Sequence, residues 1–172
     1  MEYLVVSDNH GDQDILQKLL AVYGNRVDAF IHCGDSELTF TDELVSKMTI
    51  VRGNMDFDDR FPLTMILKNT VDKIFVAHGH RLNVNFGLDQ LYLAALKVQA
   101  NIAFYGHTHQ LGCTMSNGVF ILNPGSISQP RGEYAALGGT FALVHSDEKK
   151  IVADYYDRQL KQVKTLHFEF KK

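Results

Sequence analysis

The sequence has no tryptophan, three prolines and two cysteines among its 172 residues. Cys33 and Cys113 lie far apart and form no Cys-x-x-Cys pair, which excludes a small secreted disulfide scaffold and favours reduced thiols in a cytoplasmic protein. No apolar run approaches the ~18 residues that a membrane helix needs, so we expect no membrane span. The first ten residues lack a basic segment, and their short apolar run predicts a buried strand rather than a signal peptide.

The sequence also lacks an excess of positive charge. Seventeen Lys and Arg against 20 Asp and Glu give a net charge of −3, which disfavours a nucleic-acid partner. The composition is that of a folded protein, with 45% hydrophobic and 22% charged residues. The chain is shorter than the ~250 residues of a typical eight-fold α/β barrel. Since no repeat or linker-like stretch interrupts it, we expect one domain over residues 1–172.

The spacing of apolar residues predicts helices and strands that alternate early and antiparallel strands that follow late. We expect a helix at 12–23, capped by Asp12 or Asp14, and further helices at 41–47 and 88–98. Asn117-Gly118 predicts a hairpin turn. The predicted strands lie at 3–6, 29–31, 48–51, 64–68, 73–77, 102–105, 113–115, 119–122, 140–145, 151–156 and 163–170. This order predicts an α/β fold of two packed β-sheets flanked by helices.

Side chains that can bind metals follow five of the predicted early strands, each set beside a glycine. Ligand sites in open α/β sheets form at the carboxyl ends of the strands, where glycine permits sharp turns and close approach. Asp and Asn also favour ordinary turns, but turn preference does not explain four histidines at these positions. The candidate ligands are Asp8, His10, Asp35, Asn54, His78, His107 and His109.

The candidate set has the chemistry of a hydrolytic metal centre. It offers carboxylates, imidazoles and one carboxamide without thiolates, which suits Mn, Fe, Zn, Co or Ni. The set is too large for one tetrahedral ion but suits two ions that share a bridging carboxylate, about 3.5–4 Å apart. Two divalent ions less two carboxylates leave a charge of roughly +2, which would attract a phosphate anion and help to deprotonate water.

In this order, Asp8-x-His10, Gly34-Asp35, Gly53-Asn54, His78-Gly79-His80 and Gly106-His107-Thr108-His109 resemble the calcineurin-like metallophosphoesterases. Asn123-Pro124-Gly125-Ser126 and Pro130-Arg131 are most similar to the small YfcE-like phosphodiesterase branch. The resemblance implies a four-layer sandwich and hydrolysis of small phosphodiesters by a metal-bridging hydroxide. It also implies that one ion, with manganese favoured over Ni, Fe, Zn or Co, is held by Asp8, His10 and His109, the other by Asn54, His78 and His107, with Asp35 bridging.

The third motif departs from the family pattern. Many members have a histidine after the asparagine, which can protonate the leaving group, whereas Met55 cannot donate a proton. His80 is the candidate for the missing donor, so Asp35, Asn54, His78 and His80 form the expected catalytic set. We expect activated diesters to react faster than alkyl monoesters, because general acid catalysis is typically worth about 10²–10⁴-fold.

Several alternatives stay open at this level. The retromer scaffold subunit resembles this fold and uses a degraded site for protein contact, but that reading predicts missing ligands. The late strands could form a homodimer or a larger homo-oligomer. His32 is expected in the core or behind the site, and Cys33 in close packing. The acidic run at 56–59 is expected to be a solvated loop.

Overall fold

The computed structural model describes residues 1–172 and contains eleven strands and two α-helices. Short 3-10 turns occur at Val45–Lys47, His80–Leu82 and Ala135–Leu137. In chain order the elements are β1 (Glu2–Val6), α1 (Gln13–Tyr23), β2 (Ala29–His32), β3 (Thr49–Ile50), β4 (Thr64–Lys68), β5 (Lys73–Ala77), α2 (Asp89–Lys97), β6 (Ile102–Phe104), β7 (Leu111–Ser116), β8 (Val119–Pro124), β9 (Thr140–Ser146), β10 (Lys150–Asp157) and β11 (Gln162–Lys171).

The strands form two mixed sheets. The six-stranded sheet has the order β11-β10-β9-β1-β2-β3, and the five-stranded sheet has the order β4-β5-β6-β8-β7. Pairing is parallel in β1–β2, β2–β3, β5–β6 and β6–β8 and antiparallel elsewhere. The predicted fold class of two packed sheets with helices is confirmed.

The alternation of side chains along β1 shows why its sheet is buried on both faces. Tyr3 and Val5 belong to the core between the two sheets, whereas Leu4 and Val6 pack beneath α1. Successive side chains of a strand point to opposite faces, so a strand that is covered on both sides reads as one apolar run. Burial of each such side chain stabilises the fold by about 1.5–3 kcal/mol.

The second sheet is covered in the same way. Phe104 faces the core between the sheets, and Ala103 faces Leu91 and Ala95 of α2. The layers are therefore α1, the six-stranded sheet, the five-stranded sheet and α2. Neither helix is long and apolar enough to cross a membrane.

Two helix predictions have different outcomes. Asp12 caps α1, and its Oδ1 accepts the N–H of Ile15 at 3.3 Å, as expected. The predicted helix at 41–47 is wrong, because only a 3-10 turn at Val45–Lys47 forms. The Asp42 side chain accepts the backbone N–H of Leu44 at 2.9 Å, and such local bonds compete with helix formation.

A buried carboxylate ties the sheets together at the start of β1. Asp72, in the turn between β4 and β5, accepts hydrogen bonds from Tyr3 at 2.7 Å, Asn101 at 2.9 Å, Ser146 at 3.0 Å and Lys172 at 2.6 Å. Burial raises the pKa of Asp72, but the bonds from Lys172, Tyr3, Asn101 and Ser146 outweigh it, so the pKa is lowered overall. The carboxylate therefore stays ionised inside the fold.

We predict that Asp72→Asn lowers the free energy of unfolding by about 2–4 kcal/mol at pH 7, because it leaves Lys172 without its buried partner. The folded pKa is lower than the unfolded value of about 3.9, so the stabilisation is complete above that value and is lost as the pH falls through the folded pKa. Urea unfolding at pH 7 and at successively lower pH should show the gap to wild type shrinking with acid. Glu148→Gln, at an exposed position, is the control, and equal stability of Asp72→Asn and wild type at pH 7 would contradict the prediction.

Candidate metal centre

The predicted ligands lie at the carboxyl ends of parallel strands from both sheets. Asp8 Oδ1 is 3.3 Å from His109 Nε2 and 3.9 Å from His78 Nε2. Asp35 Oδ2 is 3.3 Å from His78 Nε2. The ligand atoms of Asp8, His10, Asp35 and His109 all lie within 4.8 Å of one another. Residues that are separated by up to 101 positions in the chain thus share one small volume.

Three of the histidines are oriented by hydrogen bonds at Nδ1. In each case the partner is an oxygen that only accepts, so Nδ1 carries the proton and Nε2 presents a lone pair to the cluster. The pairs are His10 with Glu37 Oε1 at 2.9 Å, His78 with the carbonyl of Cys33 at 2.8 Å, and His109 with the carbonyl of Gln129 at 2.7 Å.

The Nε2 atoms then face other acceptors. His10 Nε2 lies 3.2 Å from His109 Nε2, and His78 Nε2 lies 3.1 Å from Asn54 Oδ1. Asp8 Oδ1 is buried and has no hydrogen-bond partner. Lone pairs that face one another without a donor repel, and a cation is the species that they bind together. The donor set therefore fits divalent metal ions.

The acceptors fall into two groups that have Asp35 in common. One contains Asp8, His10, Asp35 and His109, and the other contains Asp35, Asn54 and His78. The hydrogen bond from the Met55 N–H to Asp35 Oδ1, 2.7 Å long, fixes this carboxylate between them. Burial raises the pKa of Asp35, but the neighbouring imidazole of His78 and the hydrogen bond from Met55 outweigh burial, and the pKa is lowered.

The remaining two predicted histidines lie beside the second group. The ring centre of His107 is 5.1 Å from that of His78, and its Nε2 is 3.0 Å from the side-chain amide of Asn85. The His80 ring centre is 5.4 Å from that of His78, and His80 Nδ1 is buried without a partner. Burial together with the neighbouring His78 lowers the pKa of His80 to about 4, so the ring is neutral at pH 7.

The backbone at the centre is strained. Five of the predicted ligands have left-handed backbone angles, each of which costs roughly 1–3 kcal/mol. They are Asp8 (φ +56°), His10 (+45°), Asp35 (+55°), His107 (+69°) and His109 (+60°), and the surrounding fold has to enforce these angles against their cost.

Glycines next to the ligands allow the loops to approach. A methyl group at Gly53 would overlap Asp35 Oδ1, and one at Gly106 would overlap the Ser7 hydroxyl. Both overlaps would displace loops that carry predicted ligands, so these positions admit only a hydrogen atom as side chain.

Asp56 is buried, contrary to the expectation from the sequence. The sequence places it in a solvated acidic run, but it is 8% exposed and accepts four hydrogen bonds, so that interpretation is wrong for this residue. The donors are the N–H groups of Asp35 at 2.8 Å, Gly53 at 2.7 Å and Glu37 at 2.7 Å, and the hydroxyl of Ser36 at 3.0 Å. Asp56 thereby fastens the loop after β2 to the loop after β3.

His32 connects the loop after β1 to the loop after β2. Its Nδ1 accepts the Gly34 N–H at 3.1 Å, so its Nε2 donates to Asn9 Oδ1 at 2.8 Å. Burial lowers the pKa of His32 to about 4, which keeps the ring neutral. The neighbouring Cys33 is fully buried in the core, and burial raises the pKa of its thiol well above the ordinary value. Both residues have the supporting and packing roles that we expected.

The end of β8 and the segment that follows it close one side of the centre. The Ser126 hydroxyl donates to the carbonyl of Asp8 at 2.8 Å, and the Asn123 amide donates to the carbonyl of Gly106 at 2.8 Å. These bonds hold the loops after β1 and β6, which carry Asp8 and His109. The Asn-Pro-Gly-Ser motif is therefore a wall of the centre and more than a turn.

Residues 1–149 match the model of the calcineurin-like phosphoesterase superfamily domain. The chain is 31% identical over 166 residues, 96% of both chains, to the probable metallophosphoesterase YsnB of Bacillus subtilis. It is 30% identical over 119 residues, 64% of this chain and 59% of the relative, to the phosphodiesterase YfcE of Escherichia coli.

Solved structures agree on the fold. A conserved uncharacterized protein from Streptococcus pneumoniae TIGR4, described as a predicted phosphoesterase, has a TM-score of 0.94 and 34% identity over 99% of this chain and 97% of its own. Vacuolar protein sorting 29 from Cryptosporidium parvum, with a TM-score of 0.76 and 22% identity over 99% and 98% of the two chains, shares the fold. With the matched family model, the similarity to YsnB and the metal-compatible cluster, the chain belongs to the calcineurin-like phosphoesterase superfamily.

Proposed function

We propose that this protein is a phosphodiesterase that hydrolyses small phosphodiesters with two divalent metal ions, manganese foremost. The observation that carries the proposal is the pair of acceptor groups that share Asp35. When bound, the ions would supply Lewis-acid activation of a water molecule and of the phosphoryl oxygens. The residues that would hold them are Asp8, His10 and His109 for one ion, Asn54, His78 and His107 for the other, and Asp35 for both.

His107 can join the second group through Nδ1. Its Nε2 faces Asn85, whose amide accepts or donates according to which of its atoms faces the ring. A proton on Nε2 would leave the Nδ1 lone pair free for a metal. Asn85 is compatible with that tautomer.

Charge supports an anionic substrate. The proposed ligand set contains two carboxylates, Asp8 and Asp35, both buried, so two divalent ions would leave this set with about +2. A positive centre attracts anions such as a phosphodiester. The net charge of −3 for the whole chain disfavours a long nucleic acid and favours a small substrate.

The centre offers few groups that could protonate the leaving group of the substrate. Met55 contributes its N–H to Asp35, and its 43%-exposed thioether side chain offers no proton. His80 is the remaining imidazole beside His78, and we propose that it faces the leaving group. Substrates whose leaving groups need no protonation are therefore favoured.

We extend the proposal to the whole chain. The family model ends at residue 149, but β10 and β11 continue the six-stranded sheet through pairing with β9. Residues 1–172 thus form one domain in this proposal. Both cysteines are free thiols, which favours a cytoplasmic location.

Metal dependence is the first prediction from this function. Removal of metal with a chelator should abolish turnover of bis-(p-nitrophenyl) phosphate, and Mn²⁺ or Ni²⁺ should restore it, because the acceptor groups need cations. Asp35→Asn should lose roughly 100-fold or more in kcat/KM, since outer-shell changes already cost about 10–100-fold. Asp59→Asn, at an exposed position outside the proposed ligand set, should retain wild-type activity.

Calorimetric titration of the chelated protein should give two ions per chain for wild type and a weakened or lost second ion for Asp35→Asn. Full activity of the chelated protein, or of Asp35→Asn, would contradict the proposed reaction class.

The second prediction concerns the leaving group. Wild type should hydrolyse an aryl diester faster than a simple alkyl monoester, and Met55→His should raise the rate on the alkyl monoester by about 10-fold or more, because it adds a proton donor. Met55→Leu keeps the backbone bond to Asp35 without adding a donor and is the matched control. Faster turnover of the alkyl monoester by wild type would contradict the assignment.

A scaffold function is the second candidate. The fold similarity to vacuolar protein sorting 29 and the almost complete exposure of Phe57 and Phe86, 93% each, favour a contact surface near the loops of the centre. This candidate predicts that the protein retains metal but hydrolyses no phosphodiester in the same assay. The complete donor set favours the enzyme.

A further inference from the structure

Glu37 is an acidic residue at the centre that the expected ligand set does not contain. Its Oε1 lies 2.9 Å from His10 Nδ1, with the His10 side chain 10% and the Glu37 side chain 32% exposed. A carboxylate only accepts, so the proton of the imidazole lies on Nδ1 and the lone pair of Nε2 faces His109 Nε2, 3.2 Å away. We propose that Glu37 is a positioning residue that sets the affinity of the His10 group for its metal ion.

The proposal rests on the proposed function, since it assumes that the centre binds metal. Hydrogen bonding to a carboxylate fixes the tautomer of a ligating imidazole and raises its basicity. His78 and His109 make the corresponding bond to backbone carbonyls, so His10 is the one of these three that a charged group holds. Glu37 also adds a negative charge beside Asp8 and Asp35, which a cation neutralises.

The backbone conformation of Glu37 makes it possible to distinguish a positioning role from a structural one. Glu37 has a φ of +56°, a left-handed conformation that costs free energy for any residue with a Cβ and that glycine adopts without that cost. The N–H of Glu37 donates to Asp56 Oδ1 at 2.7 Å, and this bond holds the conformation without use of the Glu37 side chain. Fold stability alone therefore favours glycine here, and the glutamate side chain acts on His10.

Two roles thus predict opposite results for Glu37→Gly. A positioning role predicts that the metal-free variant is at least as stable as wild type, because glycine relieves the strained backbone and removes a charge close to Asp35. It also predicts weaker metal binding. A structural role predicts a lower melting temperature of the metal-free variant, with any loss of metal affinity in proportion to it.

The experiment compares wild type, Glu37→Gly and Glu37→Gln after removal of metal with a chelator. Thermal melts without metal and calorimetric titrations with Mn²⁺, Ni²⁺ and Zn²⁺ are the two readouts. We expect Glu37→Gly to melt at or above the wild-type temperature and to bind one of its two ions about 10–100-fold more weakly. Glu37→Gln, which keeps an accepting oxygen without the charge, should fall between wild type and glycine. Glu43→Gln, at an exposed position, should match wild type in both readouts.

Three outcomes would overturn the proposal. One is wild-type affinity for both ions in Glu37→Gly. Another is a loss of metal affinity that goes with a lower melting temperature of the metal-free variant. The third is that wild type itself binds none of these ions. This result would overturn the proposed function as well, whereas the first two outcomes would overturn only the role of Glu37.

Discussion

The centre depends on one contact between acceptor atoms that is favourable only when a positive charge lies among them. The lone pairs of His10 and His109 face each other, and the Asp8 carboxylate is buried beside them with an oxygen that receives no hydrogen bond. In a medium of low polarity such acceptors repel one another unless a positive charge lies between them. This arrangement is maintained by the bonds at the Nδ1 atoms, the left-handed backbone of the predicted ligands and the close approach at Gly53. The demand for a cation is therefore built into the fold.

The rest of the molecule makes this local cost tolerable. β1 is covered on both faces, so the segment that leads into Asp8 and His10 is anchored by fully buried side chains. At the other end of β1, Asp72 receives bonds from residues of both sheets and from Lys172. The left-handed backbone of the predicted ligands thus lies in the loops at the carboxyl ends of the strands, and the satisfied polar network lies at the opposite end. Active sites commonly store strain where a rigid scaffold can enforce it.

Much of this arrangement could be predicted from the sequence, because the signals are local. An apolar run followed by Asp35 or His78 beside a glycine predicts a strand that ends near a metal ligand, and the strands lie where the apolar runs indicated. The division of these strands between two facing sheets could not be derived from periodicity, because pairing joins residues that are distant in sequence. The failed helix at 41–47 shows that a side chain such as Asp42 can redirect a short segment whose apolar spacing is helical.

The supporting carboxylates were the least predictable residues. Asp56 and Glu37 lie in polar loops, where an acidic residue is ordinarily solvated, and only the folded backbone shows the N–H groups and the imidazole that they bind. The donors of the centre come from both sheets, so neither sheet alone contains it. Binding of an ion would therefore stabilise only the state in which the two sheets are packed together, and by mass action it would favour that state over partly folded ones. Metal binding and the completion of folding would thus be coupled.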